Sequence, residues 1–384
     1  MPDPTEPLIP LAEYRPPSEA AEAAVRGLAA RAAKLLRRRK EAPFVEAEDL
    51  RPSTGGVLDE VVSPPACGPF LSDLDAAFED WLADADALHR LRVVVLPPCD
   101  RRCRLTQWAQ TRGVEVLPPP GRDRLDHVAR LPEGGGPLAV PRLERWFLRR
   151  SHGLTAVRSL MEAVAEADRK VIVGCGSWAW GFLCAAAEAD LLLPPPRTSR
   201  PFDGGRLKAW FAELAEDAPL RGVRFRSSRT GKTVLSTDAE EDPAAGGYFQ
   251  SLAARSNGVP WVAWHLWRRS LRTRAGEAAA QKEAEKDGKP FERTLWVAEP
   301  EDGLLPERGR REGLLALHAL LIHDGLSVEG LGEVAPDVPA AAVAAALTRA
   351  GFVVREGGLL RVRPSAYPAV RSELASGGLP VPPV

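Results

Sequence analysis

Apolar residues in the middle of the chain fall into short continuous runs bounded by turn residues, which is typical of buried strands. Four such runs predict strands: residues 91–96, 114–117, 137–141 and 170–173. Amphipathic stretches before and between these runs predict helices: residues 71–88, 105–112 and 153–165. Strands that alternate with helices of about ten to fifteen residues indicate a parallel sheet with crossover helices. The sequence therefore predicts an α/β fold class with a parallel-sheet core.

The chain is organised around residues 170–183, where the last apolar run ends in Gly174 and Gly176 and a helix with two tryptophans begins. A Gly-x-Gly turn at a strand end is compatible with a phosphate-binding turn. However, Trp178 occupies the place where backbone would approach a pyrophosphate. A cysteine nucleophile at Cys175 is a second interpretation, although the sequence that follows it departs from the papain-type signature. The third interpretation, which we favour, is a sharp turn with Trp178 and Trp180 as core anchors.

The two ends of the chain have different patterns. Residues 1–17 are rich in proline and are expected to be disordered or loosely docked. Residues 18–41 predict a helix that ends in a basic cluster, Arg37, Arg38, Arg39 and Lys40. Cations favour a helix C-terminus, so a solvated end is the preferred interpretation. A handle for an anionic membrane surface, a nucleic acid or an acidic partner is the alternative.

Beyond the central sheet, residues 206–214, 247–252 and 259–274 predict helices, and residues 223–235 predict a hairpin. The C-terminal pattern is distinct. It predicts three helices, a β-hairpin and a last helix: residues 311–322, 326–334, 338–350, 352–363 and 368–374. Three helices followed by a hairpin is the element order of a winged helix.

Composition narrows the function classes. The 384 residues carry a net charge of −1, which argues against a bulk nucleic-acid coat protein. No run approaches the ~18 apolar residues that span a bilayer, and five scattered cysteines suit a reducing compartment, so we expect a cytoplasmic protein. The close pair Cys99 and Cys103 has no companion at zinc spacing, and we predict no metal and no cofactor.

Together these parts resemble a P-loop ATPase of the AAA+ or STAND kind followed by a winged helix. The stretches that carry the resemblance are residues 170–183, 191–207, 248–271 and 314–374. The resemblance implies four parts: an N-terminal extension over 1–69, a sheet domain over 70–197, a helical lid-like segment over 198–305 and a winged-helix domain over 306–384. It also implies a phosphate cradle after the first strand, which the chain does not match.

The catalytic motifs of that family are missing. Where G-x-x-x-x-G-K-[ST] is needed, residues 96–104 read LPPCDRRCR, and proline lacks the N–H that a phosphate needs. The Gly-Lys-Thr at 231–233 lies in the predicted hairpin, so we interpret it as a turn. Glu144, the nearest acid to the place of the magnesium-binding residue, lies beyond Pro141. The resemblance thus implies the fold and not the activity.

Three hypotheses follow. The first, which we favour, is a non-catalytic regulatory or scaffold protein that acts through protein contacts. The second is a DNA-binding regulator that uses hairpin arginines: Arg355, Arg361 and Arg363. The third is an enzyme or small-anion site at neighbouring strand ends, where ligands bind in open α/β sheets. Its candidate residues are Cys99, Asp100, Arg101, Gly174, Cys175, Gly176 and Ser177.

Overall fold

The computed structural model describes residues 6–18, 50–52, 66–84, 88–216, 223–235, 243–274, 294–298, 305 and 309–384. The chain divides into two compact units. The first unit comprises Met1–Arg15, Ala66–Arg200 and Asp302–Val384, and the second comprises Pro16–Pro65 and Pro201–Glu301. The four-part division expected from the sequence stays a prediction.

The described strands, in chain order, are β1 (Leu8–Pro10), β2 (Leu50–Pro52), β3 (Leu91–Leu96), β4 (Glu115–Val116), β5 (Leu138–Val140), β6 (Val171–Gly176), β7 (Arg197–Ser199), β8 (Arg224–Ser227), β9 (Leu271–Arg274), β10 (Thr294–Val297), β11 (Val353–Glu356) and β12 (Leu359–Val362). The described α-helices are α1 (Gly68–Ala83), α2 (Arg104–Thr111), α3 (Thr155–Ala165), α4 (Ser177–Ala187), α5 (Ala189–Leu192), α6 (Gly204–Glu216), α7 (Pro243–Arg255), α8 (Pro260–Ser270), α9 (Arg310–Ile322), α10 (Val328–Val334), α11 (Ala340–Arg349) and α12 (Tyr367–Ser376).

A six-stranded sheet forms the core of the first unit, in the order β1-β7-β3-β6-β5-β4. Its five strands from β7 to β4 pair in parallel, and only β1 is antiparallel to its neighbour. Strands β3 and β6 lie at the centre of the sheet. Their apolar residues are buried between helices. The predicted α/β class with a largely parallel sheet is confirmed.

The N-terminal residues correct one expectation. Instead of being disordered or loosely docked, β1 pairs with β7, and Leu8 and Ile9 are buried. The side chain of Arg197 stabilises this pairing, since its Nε donates to the Leu8 carbonyl at 3.1 Å and its Nη2 pairs with Glu6 at 2.6 Å.

The C-terminal segment, which we define as residues 310–384, also belongs to the first unit. Helices α9, α10 and α11 are followed by the antiparallel hairpin β11–β12 and by α12, which is the order predicted for a winged helix. Ser327 is the N-cap of α10, because its hydroxyl accepts from the Gly330 N–H at 3.1 Å.

The second unit contains a four-stranded sheet in the order β2-β9-β10-β8, with helices α6, α7 and α8. Trp264 and Trp267 of α8 are buried, and the Trp267 ring lies 5.0 Å from that of Phe211. The helix expected over 259–274 ends at Ser270, and residues 271–274 pair as β9 instead, because β10 offers them a strand partner. The Gly-Lys-Thr at 231–233 lies in a turn, as predicted, with Gly231 at φ +70°.

Within the described part of the chain, no helix is both long and apolar enough to span a bilayer. The basic cluster Arg37, Arg38, Arg39 and Lys40 and its predicted helix lie outside the described residues. The charged stretch at 276–290 lies outside them as well.

Candidate functional site

The carboxyl ends of β3 and β6 and the C-terminal segment together enclose a cavity of about 40 Å³. This is the position at which open α/β sheets bind ligands. The loop at residues 97–101 and the two residues at 176–177 line this cavity. Its charged lining residues are Arg101, Arg142, Arg361, Asp100, Glu144 and Asp324. Three arginines thus face three carboxylates.

The loop after β3 uses its acid to hold its own backbone. One oxygen of Asp100 accepts from the Arg104 N–H at 2.7 Å, and the other pairs with the Arg104 guanidinium at 2.7 Å. Both side chains are buried. Asp100 is therefore occupied as the local cap of α2, and it is a poor partner for an anion.

Cys103 of this loop is buried and Cys99 is partly exposed, and both thiols are hard to ionise. Burial raises the pKa of the Cys99 thiol to about 12 and that of Cys103 to about 11. Both residues have left-handed backbone, at φ +65° and +47°. Among the described residues, no group of three or more His, Cys, Asp or Glu side chains is placed to hold a metal ion.

The glycine turn at the end of β6 serves close packing. A Cβ on Gly174 would lie 2.4 Å from Leu105 Cδ2 and 2.6 Å from the Pro141 carbonyl oxygen. Cys175 is completely buried, and burial raises its pKa well above the ordinary value. Trp178 and Trp180 are buried as well, as the favoured interpretation of this stretch predicts.

The first residues of α4 already have partners from within the first unit. The Gly176 N–H donates to Glu144 Oε2 at 3.0 Å, and the Ser177 hydroxyl donates to the Val384 carbonyl at 2.9 Å. Glu144 itself is 6% exposed, and its Oε1 lies 3.3 Å from Arg142 Nε. A carboxylate thus occupies the amide that an anionic ligand would use.

Sequence reasoning missed Glu144 as a site residue. Its position after Pro141 suggested that it lay away from the strand end. The structure places it in a short 3-10 turn, Leu143–Arg145, which returns the side chain to the end of β6. No local signal separates Glu144 from the charged residues on either side of it, Arg142 and Arg145.

Asp324, which follows α9, joins the C-terminal segment to the sheet edge. Its carboxylate forms an ion pair with Arg142 and pairs with Arg361 at 3.0 Å and Arg145 at 3.6 Å. Burial, with Arg142 and Arg361 nearby, lowers the pKa of Arg145 to about 10. The backbone of Asp324 has a left-handed φ of +47° and accepts from Arg145 Nη2 at 3.0 Å through its carbonyl. We name Asp324 and these three arginines the Asp324 cluster.

Two further contacts join the same parts of the first unit. Arg101 forms an ion pair with Glu356 at the end of β11. Arg122 donates to Ser327 Oγ at 2.8 Å and pairs with Glu333 at 2.8 Å. The candidate anion ligand Arg101 is therefore already paired with a carboxylate.

The three hairpin arginines do not share one exposed face. Arg361 does not lie on the exposed surface expected for nucleic-acid binding, because its side chain is only 15% exposed and lies in the Asp324 cluster. Arg355 and Arg363 are exposed. Arg361 and Arg363 are two residues apart, so strand alternation does not separate them, and it is the ion pair with Asp324 that draws Arg361 inward.

Two histidines of the C-terminal segment lie against aromatic rings of the sheet domain. The His318 ring is 5.7 Å from that of Trp178, and the His323 ring is 4.9 Å from that of Phe147. Burial, with Arg149 nearby, lowers the pKa of His318 to about 4. Burial and the positive charges of Arg149, Arg145 and Arg122 lower the pKa of His323 to about 3.

No family model matches the chain, and no curated protein is significantly similar to it. Several solved structures are similar. RuvB from Thermotoga maritima has 13% identity and a TM-score of 0.31, covering 76% of this chain and 88% of that chain. The Orc1 protein from Aeropyrum pernix, in complex with DNA, has 15% identity and a TM-score of 0.32, covering 86% and 94%. The ORC2 protein of the same organism has 10% identity and a TM-score of 0.32, covering 94% and 97%.

These neighbours are P-loop ATPases of the AAA+ kind, which is the resemblance expected from the sequence. Because their TM-scores are near 0.3, they add nothing about the activity of this chain.

Proposed function

We propose that this chain is a non-catalytic, ATPase-like protein that acts in regulation or scaffolding through protein contacts. In this proposal the C-terminal segment covers the sheet edge at which a P-loop ATPase would hold its triphosphate. The proposed partner is another protein.

The observation that carries the proposal is the small cavity at the carboxyl ends of β3 and β6. Its volume of about 40 Å³ is far below the ~300–1,000 Å³ of typical ligand pockets. Three carboxylates line it, and one of them, Glu144, accepts from the Gly176 amide. The three arginines that line it are already paired with carboxylates, so a triphosphate would find no free cation among the described lining residues and too little space.

The loop chemistry supports the same conclusion. Phosphoryl transfer depends on backbone amides, a lysine and a metal that stabilise the transferring group. In the loop after β3, Pro97 and Pro98 have no N–H, and Asp100 is paired with Arg104. No cofactor is proposed. The alternative of an enzyme or small-anion site at Cys99–Ser177 loses support for the same reasons.

DNA binding through the β11–β12 hairpin remains the second candidate. It is favoured by the exposure of Arg355 and Arg363, neither of which is in an ion pair within the described part of the chain. Duplex binding that weakens with salt, and that is lost in the double variant Arg355→Glu/Arg363→Glu, would support this candidate.

Isothermal titration calorimetry of the full chain with Mg-ATP tests the first proposal. We expect no binding tighter than about 1 mM, which corresponds to about 4 kcal/mol of binding free energy. The matched variant Lys232→Ala removes the lysine of the Gly-Lys-Thr turn and should leave this result unchanged. Sub-millimolar affinity with nucleotide turnover would overturn the proposal.

A further inference from the structure

A second cavity lies elsewhere on the first unit, beside the loop that follows β4. Its volume is about 380 Å³. Unlike the volume of the cavity at the ends of β3 and β6, this value falls within the range of ligand sites. We name it the proline groove. Its lining residues are Pro118, Pro119, Pro120, Gly121, Arg124, His127, Val128, Ala129, Arg130, Trp146 and Ala156.

The proline groove has positive charge and no acidic lining residue. Arg124 and Arg130 are exposed, and neither takes part in an ion pair with any described residue. Two acidic side chains lie nearby: Asp126 is paired with Arg150 at 2.9 Å, and Asp123 has its carboxylate beside Gly121, which leaves the two arginines in excess over one carboxylate. Charge complementarity therefore favours an acidic occupant.

The groove also holds an unused hydrogen-bond donor. Trp146 is 5% exposed, and its buried indole Nε1–H has no hydrogen-bond partner in the described part of the chain. An unpaired buried donor is costly, and a small movement of the indole that lets it meet an acceptor in the groove would relieve that cost. A peptide carbonyl is an acceptor of suitable size.

The remaining wall favours a side-chain-directed mode of binding. Pro118, Pro119 and Pro120 have no backbone N–H, so this wall cannot add a strand to an edge. Val128 is 68% exposed beside them and offers an apolar contact. A nucleic acid fits less well, because the buried Trp146 presents no open ring face for a base to stack on.

We propose that the proline groove binds an acidic peptide segment of a partner protein. Carboxylates of the segment would pair with Arg124 and Arg130, an apolar side chain would contact Val128, and a main-chain carbonyl would accept from Trp146 Nε1. This inference deepens the proposed interaction role by naming the chemistry of the partner. The proline groove shares no lining residue with the cavity at the ends of β3 and β6, so each can be tested without the other.

The test is selection of a displayed library of random ten-residue peptides on the full chain, followed by affinity measurement with the enriched peptides. We expect enrichment of Asp and Glu beside apolar residues. The double variant Arg124→Glu/Arg130→Glu should bind these peptides at least tenfold more weakly. The matched double variant Arg311→Glu/Arg349→Glu changes two exposed arginines of the C-terminal segment and should bind them normally.

Trp146→Phe gives a second measurement, because it removes the indole donor together with part of a buried ring system. We expect about fivefold weaker peptide binding, the value of one typical hydrogen bond, and some loss of folding stability from the smaller side chain, so binding is compared under conditions in which both proteins are folded. The proposal is overturned if the selected peptides lack acids, bind the Arg124/Arg130 double variant equally well, or are displaced by single-stranded RNA or duplex DNA at stoichiometric amounts. None of these outcomes would alter the Mg-ATP measurement, so failure of the groove and failure of the non-catalytic role are distinguishable.

Discussion

Arg142 and Asp324 form an ion pair across 182 residues of the chain, with side chains that are only 16% and 19% exposed. This pair joins the loop after β5 to the end of α9. Arg145 and Arg361 meet the same carboxylate. The contact is therefore the centre of the surface that closes the sheet edge.

Replacement of Asp324 should destabilise the first unit strongly. Asp324→Ala leaves three partly buried guanidinium groups without their shared carboxylate, and breaking such a pair costs about 3 kcal/mol or more. Urea unfolding measures this loss. The control is Asp168→Ala, which removes the partner of Arg90 at a site where the carboxylate is 96% exposed. We expect no measurable loss there, and equal effects of the two changes would contradict the role of the Asp324 cluster.

Stability should fall as the pH is lowered below about 6.5. In the folded chain the pKa of His323 is lowered to about 3 and that of His318 to about 4, so the unfolded chain binds more protons between these values and 6.5. The free energy of unfolding then rises with pH in this window, by up to about 1.4 kcal/mol per pH unit for each histidine.

The variant His323→Leu tests this assignment, since leucine keeps an apolar contact and cannot take up a proton. Denaturant titrations between pH 4.5 and 7 should give a smaller slope of stability against pH for this variant. His152→Asn is the control, because asparagine tolerates the positive φ of that exposed site. An unchanged slope in His323→Leu would show that other groups set the pH dependence.

Gly174 should be required for packing. In Gly174→Ala the added methyl meets Leu105 and the Pro141 carbonyl at 2.4 and 2.6 Å, and overpacking of this kind typically costs about 1–3 kcal/mol. Gly181 on α4 has nothing within 4 Å of its Cβ position. Gly181→Ala should be neutral or stabilise by about 0.5–1 kcal/mol, the usual gain in a helix. Thermal unfolding of both variants decides whether the glycine turn serves packing, and a fully stable Gly174→Ala would mean that it does not.

The cysteines at the sheet edge should resist alkylation. Because burial raises the pKa of Cys99 to about 12 and that of Cys175 well above its ordinary value, little thiolate forms at pH 8. Peptide mapping after iodoacetamide treatment should find both unmodified in the folded chain and modified in urea. Rapid alkylation of folded Cys99 would instead revive the enzyme hypothesis.

The apolar pattern was sufficient to predict the centre of the sheet. Strands β3 and β6 contain unbroken runs of valine, isoleucine and leucine at residues 93–96 and 171–173, and such runs have few alternatives to a buried strand. Strands β1 and β7 were missed because three residues that include Pro10 or Arg197 carry no strand pattern of their own. Strand β7 forms because the edge of β3 offers hydrogen bonds, and β1 pairs in turn with β7.

The chemistry of the sheet edge could be predicted only in part. The prolines after β3 were enough to argue against a phosphate cradle. The contacts of Glu144 with Gly176 and of Asp324 with Arg142 join residues far apart in the chain, and no local pattern encodes them. For the same reason the sequence did not separate the inward Arg361 from the exposed Arg355.

The central claim is that the C-terminal segment and Glu144 fill the place of a triphosphate. A crystal structure of the full chain grown with Mg-ADP tests it most directly. The account predicts Glu144 on the Gly176 amide, Asp324 among its three arginines and no nucleotide at the sheet edge. Phosphate density bound by the amides of residues 97–104, with the Asp324 cluster opened, would contradict it.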